Sequence, residues 1–297
     1  MVGLEGGDDS GDAMRAGELA AEMASVAPDR FLAWFEAGLY SKARRNWVEA
    51  AERNHRALEL LQPGDADAFD GANPAAWNLG IAATALGDWA TARRAWIAYG
   101  IEGLAAGTDP IDVDYGLAPI RLNPDRASLA HQLLFDVGDS EVVWCWRRSP
   151  AHAVIASVPL PESGHRFRDV VLHDGEPKGT RRLGDRELSV FDEIERLDES
   201  AIPTWQALLR GLGDGDLERL TDLFGPQGFG LDEWSGMRIL CSECSHGAAD
   251  GDHAHEPIGE NETRLGLAGP ERALRSTLDA WLTERPHITL MDLSLLW

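Results

Sequence analysis

The 297-residue chain has few cysteines, few lysines and no long hydrophobic run. No apolar stretch approaches the ~20 residues that a membrane-spanning helix requires. The first residues, MVGLEGGDDSGDAM, lack both the basic start and the apolar core of a secretion signal. The three cysteines are too few to indicate a disulfide framework. These absences predict a cytoplasmic protein with no membrane partner.

Basic residues are also scarce. The chain has 27 lysines and arginines and 50 acidic residues, which gives a formal net charge of −23. Only Lys42 and Lys178 are lysines. The acidity is spread along the chain, with 19 acidic against 9 basic residues in 1–115, 15 against 11 in 116–200 and 16 against 7 in 201–297. Such a field repels nucleic acid and anionic membranes and favours a basic protein partner. An alternative is that the charge only provides solubility.

Two segments near the N-terminus align with each other at an offset of 42 residues. The first is WFEAGLYSKARRNWVEAAERNHRALELLQP and the second is AWNLGIAATALGDWATARRAWIAYG. Gly38 matches Gly80, and small residues at such positions let two antiparallel helices approach closely. Gly87 ends one helix, and Asp88 is placed to cap the next. The pattern predicts paired helices over residues 14–107, after a disordered tail of residues 1–13.

These paired helices resemble the tetratricopeptide repeat, whose pattern is W-x₂-L-G-x₂-Y followed by A-x₃-F and a proline. The matching residues are Trp34, Gly38, Ala50 and Ala57 in the first copy and Leu79, Gly80, Ala92 and Trp96 in the second. The resemblance covers the first third of the chain and implies a concave surface that binds a protein or peptide. Trp77 is off the pattern and is expected to face outward. The insert GDADAFDG between the copies predicts an acidic loop, and its candidate partner-binding residues are Asp65, Asp67 and Asp70.

Residues 108–200 change to short alternating apolar runs, which predict a connector over 108–138 and a small, mostly antiparallel sheet or barrel over 139–196. Several arginines cluster in this part of the sequence, and a guanidinium fork suits carboxylate or phosphate recognition. They are Arg147, Arg148, Arg166, Arg168, Arg181, Arg182 and Arg186. The alternative is that they balance acidic neighbours on the solvent face of strands. His165 and His173 lie close in sequence to Glu162, Asp169 and Asp174, so a histidine–carboxylate pair is possible.

Residues 201–297 predict the order βαββαβ, which is that of the ferredoxin-like fold. TWQALLRG, MRILC, TRLGLAG and HITLMDLSLLW are the expected strands, while DLERLTDLF and PERALRSTLDAWL are the expected helices. The predicted fold class is therefore α+β, with an N-terminal helical repeat unit, a central antiparallel β-rich domain and a C-terminal ferredoxin-like domain.

The segment CSECSHGAADGDHAHEP falls between the second and third predicted strands of that last domain and gathers thiols and imidazoles. Its candidate metal ligands are Cys241, Cys244, His246, His253 and His255. Two cysteines and two histidines suit a tetrahedral zinc, and the set is large enough to close the coordination shell. The sequence therefore predicts a structural zinc, with the choice among the three histidines left open. Glu243 and Glu256 could instead serve as the general base of a catalytic zinc.

Together these features predict an acidic protein-binding protein with a structural zinc, one form of which is an immunity protein that neutralises a basic toxin. A zinc-dependent hydrolase is an alternative. A sensor that binds a small ligand on the arginine-rich sheet is another.

Overall fold

The structure is a computed structural model that describes residues 9–66, 69, 71–125, 140–234 and 262–297. The chain forms two compact units, Met1–Asp112 and Val113–Trp297. Helices make up the regular structure of the first unit, and the second is rich in strands. The predicted α+β class is thereby confirmed at this level. In the described part of the chain, no helix is both long and apolar enough to cross a membrane.

The first unit consists of helices that pack on one another in chain order. They are α1 (Asp9–Val26), α2 (Phe31–Ala43), α3 (Trp47–Leu60), the short α4 (Pro63–Ala66), α5 (Pro74–Ala85) and α6 (Trp89–Tyr99). Helix α1 begins inside the range 1–13 that was expected to be a disordered tail.

Small residues allow the helices of each pair to approach closely. A Cβ added at Gly80 of α5 would lie 2.6 Å from ring atoms of Trp96, which is fully buried on α6. A Cβ at Gly38 of α2 would lie 2.5 Å from Asn54 Nδ2 on α3. The turn before α6 forms as predicted, since Gly87 has a φ of 67° and the Asp88 side chain accepts a hydrogen bond from Thr91 N at 3.0 Å.

Five strands of the second unit close into a barrel in the order β1–β2–β3–β4–β7. They are β1 (Leu117–Leu122), β2 (Glu141–Arg147), β3 (His152–Ile155), β4 (Val170–His173) and β7 (Phe191–Asp198). A separate hairpin pairs β5 (Thr180–Leu183) with β6 (Arg186–Ser189). The barrel contains an apolar core cluster of Ile120, Leu122, Val143, Cys145, Ala153, Ile155 and Val171. The expected sheet or barrel over 139–196 is present, and β1 extends it.

Strand β1 lies within 108–138, which was expected to be only a connector, so that prediction was wrong for Leu117–Leu122. Pro119 lowered the expectation of a strand because proline cannot donate to a ladder. In the barrel, Pro119 pairs with Trp144. The Trp144 N–H donates to Ser157 Oγ at 3.1 Å and its carbonyl accepts from Ala156 N at 2.8 Å. The ladder therefore loses no partner at the proline.

The last part of the second unit is a four-stranded sheet in the order β11–β8–β10–β9, in which all neighbouring strands are antiparallel. Its elements are β8 (Thr204–Arg210), α7 (Asp216–Phe224), β9 (Gly230–Glu233), β10 (Glu262–Ala268), α8 (Glu271–Glu284) and β11 (Thr289–Leu295). Both helices share one core with alternate residues of β8 and β10. Trp205 of β8, Phe224 of α7 and Trp281 of α8 belong to this core.

The second strand of this sheet in the described residues, β9, was not predicted from the sequence. The sequence predicted it at MRILC, residues 237–241, which lie outside the described residues. The described strand in this position is Gly230–Glu233, which pairs with β10 on the side away from β8; Leu231 and Asp232 are partly buried and Glu233 is exposed. Its short and polar sequence, GLDE, carries no alternating apolar pattern, and among the described strands it pairs only with β10.

Candidate functional site

The five candidate zinc ligands Cys241, Cys244, His246, His253 and His255 all lie outside the described residues, in the segment 235–261 between β9 and β10. Within the described ranges, no group of three or more histidine, cysteine, aspartate or glutamate side chains could hold a metal ion. The third cysteine, Cys145, is buried in the barrel, and this burial raises the pKa of its thiol well above the usual value. It is therefore an inert core side chain.

Trp77 lies on α5 and is half-buried. Its ring packs at 5.1 Å from the Trp96 ring and 4.7 Å from the Tyr99 ring, measured between centroids. Part of the indole thus belongs to the core of the second helix pair. Of the acidic insert, Asp65 is described and caps the short helix α4 by accepting from Gln62 N at 2.9 Å. Asp67 and Asp70 lie outside the described residues.

Helix α1 carries a row of exposed large apolar side chains that the sequence had not singled out. Leu19, Met23 and Val26 are 52%, 50% and 77% exposed and are spaced i, i+4 and i+7, which places them on one side of the helix. The small residues Ala20 and Ala24 form the buried side. In the sequence, the feature that could have indicated this row is the contrast between alanines on one face of the helix and larger apolar residues on another.

The acidic residues Glu18 and Glu22 are exposed on the same helix, next to this row in sequence. Leu19, Met23 and Val26, together with these two carboxylates, are called the α1 face below. The helical unit holds eight of the thirteen large apolar side chains that are exposed in the described part of the chain. Exposed apolar residues that line up on one face of an element mark interaction surfaces more often than isolated ones do.

The barrel contains a histidine–carboxylate pair at His165, but the carboxylate belongs to Glu193 and not to one of the acidic residues that are close in sequence. His165 Nε2 contacts Glu193 Oε1 at 2.7 Å, and His165 Nδ1 contacts the Ser163 carbonyl at 3.0 Å. Burial lowers the pKa of His165, but the hydrogen bond and charge of Glu193 outweigh it and the net effect raises that pKa. Because both ring nitrogens face acceptors, the pair is a buried ion pair and His165 has no free lone pair for proton abstraction.

His173 makes no such pair. Its Nδ1 contacts the backbone carbonyl of Asp174 at 2.9 Å, and burial lowers the pKa of its fully buried ring to about 4. The ring stacks on Phe191 at 5.5 Å. His173 is therefore a neutral side chain near neutral pH.

The arginine cluster is divided by the fold. Arg166 pairs with Glu199 at 2.9 Å, and Arg168 is exposed above the ring of Phe167. Arg181, Arg182 and Arg186 lie on the β5–β6 hairpin. Arg147 ends β2 and lines, together with Arg186, one cavity of about 450 Å³. Of the arginines expected on this sheet, Arg147 and Arg186 therefore line the same cavity.

No known family model matches this chain. No curated protein matches it either. Among solved structures, the chain has a weak similarity to a hypothetical protein from Neisseria gonorrhoeae, at 12% sequence identity and a TM-score of 0.25. The similarity covers 61% of this chain and 94% of that one. A similarity this low carries no argument about fold or function.

Proposed function

We propose that this chain is an acidic protein-binding protein that uses the α1 face of its helical unit to hold a basic protein partner. The observation that carries the proposal is the row Leu19, Met23 and Val26, which exposes large apolar side chains at helical spacing. Burying apolar area contributes about 25 cal/mol per Å², so such a row can supply binding energy once a partner covers it.

Charge supports a basic partner. Glu18 and Glu22 stand beside the apolar row, and the segment 1–115 has 19 acidic against 9 basic residues. An acidic surface steers a basic protein toward it and disfavours acidic ones. An immunity protein that neutralises a basic toxin is one concrete form of this function, because many nucleic-acid-cleaving toxins must themselves bind a polyanion.

Two finer features belong to the same proposal. The helix pairs act as tetratricopeptide repeats, supported by the close helix contacts at Gly38 and Gly80. The last domain is ferredoxin-like, supported by a sheet in which β10 lies between β8 and β9 and β8 lies between β11 and β10, as expected for interleaved split βαβ units. A structural zinc staples the β9–β10 loop of this domain through Cys241, Cys244 and two histidines.

The proposal is tested by using the full-length protein as bait in extracts of its native cell and then measuring binding to the captured partner. Met23→Lys should weaken that binding at least tenfold, because it places a charge in the apolar row. Met291→Lys is the matched control, since Met291 is 47% exposed but lies on β11. Trp77→Ala is a poorer probe because Trp77 also packs on Trp96. An acidic partner, or equal affinity of the Met23→Lys and wild-type proteins, would overturn the proposal.

A further inference from the structure

One end of the barrel and the β5–β6 hairpin line the open cavity of about 450 Å³, a volume in the range of small-molecule sites. Tyr115, Trp146 and Arg147 line it from the barrel side, and Leu188 and Arg186 line it from the hairpin. Phe191, the first residue of β7, also contributes to the wall. The lining thus combines aromatic rings with two guanidinium groups.

Arg147 is held firmly but leaves hydrogen-bonding capacity unused. Its guanidinium carbon lies 5.1 Å from the centroid of the Phe191 ring and 5.9 Å from that of Tyr115. Nη2 donates to the Pro150 carbonyl at 3.2 Å. The buried Nε has no hydrogen-bond partner among the described residues. A buried donor without a partner is costly, so the protein itself leaves the Arg147 guanidinium incompletely satisfied.

Neither Arg147 nor Arg186 forms an ion pair within the described ranges, whereas other arginines of the barrel domain, such as Arg166 and Arg196, do. The acidic side chain in the cavity wall, Glu187, lies opposite Arg182 in the register of the hairpin. In a chain of net charge −23, two arginines without a carboxylate partner in one cavity indicate a place for an external anion.

Tyr115, a residue of the same wall, has an unsatisfied hydroxyl as well. Its oxygen is buried and has no hydrogen-bond partner in the described part of the chain. Burial raises the pKa of Tyr115, which Arg147 partly offsets, so the hydroxyl is protonated near neutral pH. The backbone is fixed because Tyr115 N donates to the Arg147 carbonyl and Arg147 N donates to the Gly116 carbonyl, both at 3.0 Å. The barrel therefore holds the backbone from which both side chains extend.

We propose that this cavity binds a small organic anion in which a carboxylate or phosphate is attached to an apolar ring. Arg147 and Arg186 neutralise the anionic group, and the Tyr115 hydroxyl donates to it. Trp146, Leu188 and Phe191 supply apolar surface for the ring. This site is independent of the protein-binding function proposed for the helical unit.

The ligand class is tested by isothermal titration calorimetry of the full chain with a matched set of probes. Benzoate and phenyl phosphate carry both the ring and the anion, benzyl alcohol carries only the ring, and acetate and inorganic phosphate carry only the anion. Benzoate or phenyl phosphate should bind at least tenfold more tightly than any single-feature probe. The better of the two identifies the anionic group. No binding of either at millimolar concentration, or equal binding of benzyl alcohol, would refute the proposal.

Variants locate the site. Arg147→Met should weaken binding of the better probe at least tenfold, and Tyr115→Phe should weaken it about threefold. Arg168→Met is the matched control, because Arg168 also lies over an aromatic ring, at 4.8 Å, but outside the cavity. Arg186→Met tests the site on an exposed hairpin position if Arg147→Met does not fold. If Arg147→Met binds the probe as tightly as the wild type, the site lies elsewhere and the assignment is wrong. If Arg147→Met does not fold, the same conclusion follows from unchanged affinity of Arg186→Met.

Discussion

Glu141 shows how the burial of one side chain affects the stability of the protein. Burial, together with a smaller contribution from the charge of the nearby Asp232, raises the net pKa of this carboxyl to about 8. Hydrogen bonds from Ser163 and Leu160 N and the charge of His165 partly offset the effect. Because the pKa in the folded state lies above the usual 4.5, the folded protein holds this proton more tightly than the unfolded chain does. The stabilisation is complete below pH 4.5 and is lost as the pH rises through 8.

Glu141→Gln should flatten the pH dependence of unfolding. Between pH 6.5 and 8.5 Glu141 alone lowers the wild-type free energy of unfolding by about 2 kcal/mol, as follows from about 1.36 kcal/mol per pKa unit. The raised pKa of His165 acts in the same direction, whereas the lowered pKa of His173, about 4, acts only below pH 6.5. Urea unfolding at both pH values measures the difference.

The matched control for Glu141→Gln is Glu162→Gln, which changes an exposed carboxyl of the same domain. It should keep the wild-type pH dependence. If the Glu141 variant loses as much stability between pH 6.5 and 8.5 as the wild type, the carboxyl is not a buried acid.

At this scale, sequence alone could find residue types but not their partners. His165 was a candidate for a carboxylate pair, and the nearby Glu162 and Asp169 were the obvious choices. Its actual partner, Glu193, is 28 positions away and meets His165 only because the barrel closes. Likewise, the arginine cluster was visible in the sequence, but the common cavity of Arg147 and Arg186 depends on where the β5–β6 hairpin lies.

At the scale of elements, the sequence was most informative where a local rule determines the structure. The cap at Asp88 and the close approach at Gly80 follow from residue chemistry within one turn or one helix pair. Strand β8 forms at Thr204–Arg210 as expected, although its apolar run could also have been helical. Strands β1 and β9 were missed because one contains Pro119 and the other is short and polar. Both depend on pairing with distant strands.

The loop between β9 and β10 is the element on which the zinc prediction rests. Protein purified without added metal should contain about one zinc per chain, and Cys241→Ser combined with Cys244→Ser should remove it. Cys145→Ala is the control, since this buried thiol lies in the barrel and should not affect the zinc content. Elemental analysis measures all three proteins. Zinc that is absent from the wild type, or retained by the double variant, would contradict the prediction.

The proposed role of this zinc is structural, so its removal by a chelator should lower the thermal unfolding temperature by several degrees. Any turnover that Glu243→Gln or Glu256→Gln abolishes while zinc is retained would favour the hydrolase alternative instead.

At the scale of the whole molecule, the dominant property is charge. Its net value of −23 follows directly from composition, and the fold does not change it. The fold does decide where apolar surface remains accessible: the contrast of alanines and larger apolar residues along α1 was visible in the sequence, but only the packing of Ala20 and Ala24 shows which side is buried. Charge acts at long range during encounter, whereas apolar contacts act after docking, so the two contributions can be separated kinetically.

The association rate with a basic partner should therefore fall about tenfold or more as salt rises from about 20 to 200 mM, because exposed charges are screened beyond ~8–10 Å. Reversing the insert charges with Asp65→Lys, Asp67→Lys and Asp70→Lys should slow association and change the dissociation rate little. Met23→Lys, in contrast, should mainly raise the dissociation rate. Stopped-flow or surface-based kinetics with the captured partner measures both.

A second triple variant separates local steering from net charge. Asp214→Lys, Asp222→Lys and Asp279→Lys produce the same change in total charge at exposed positions of the other unit. If the insert steers the partner, this variant should associate faster than the insert variant. Equal slowing by both triples would assign the effect to the overall field. If neither salt nor either triple variant changes the association rate, the electrostatic prediction is wrong and the acidic charge serves only solubility.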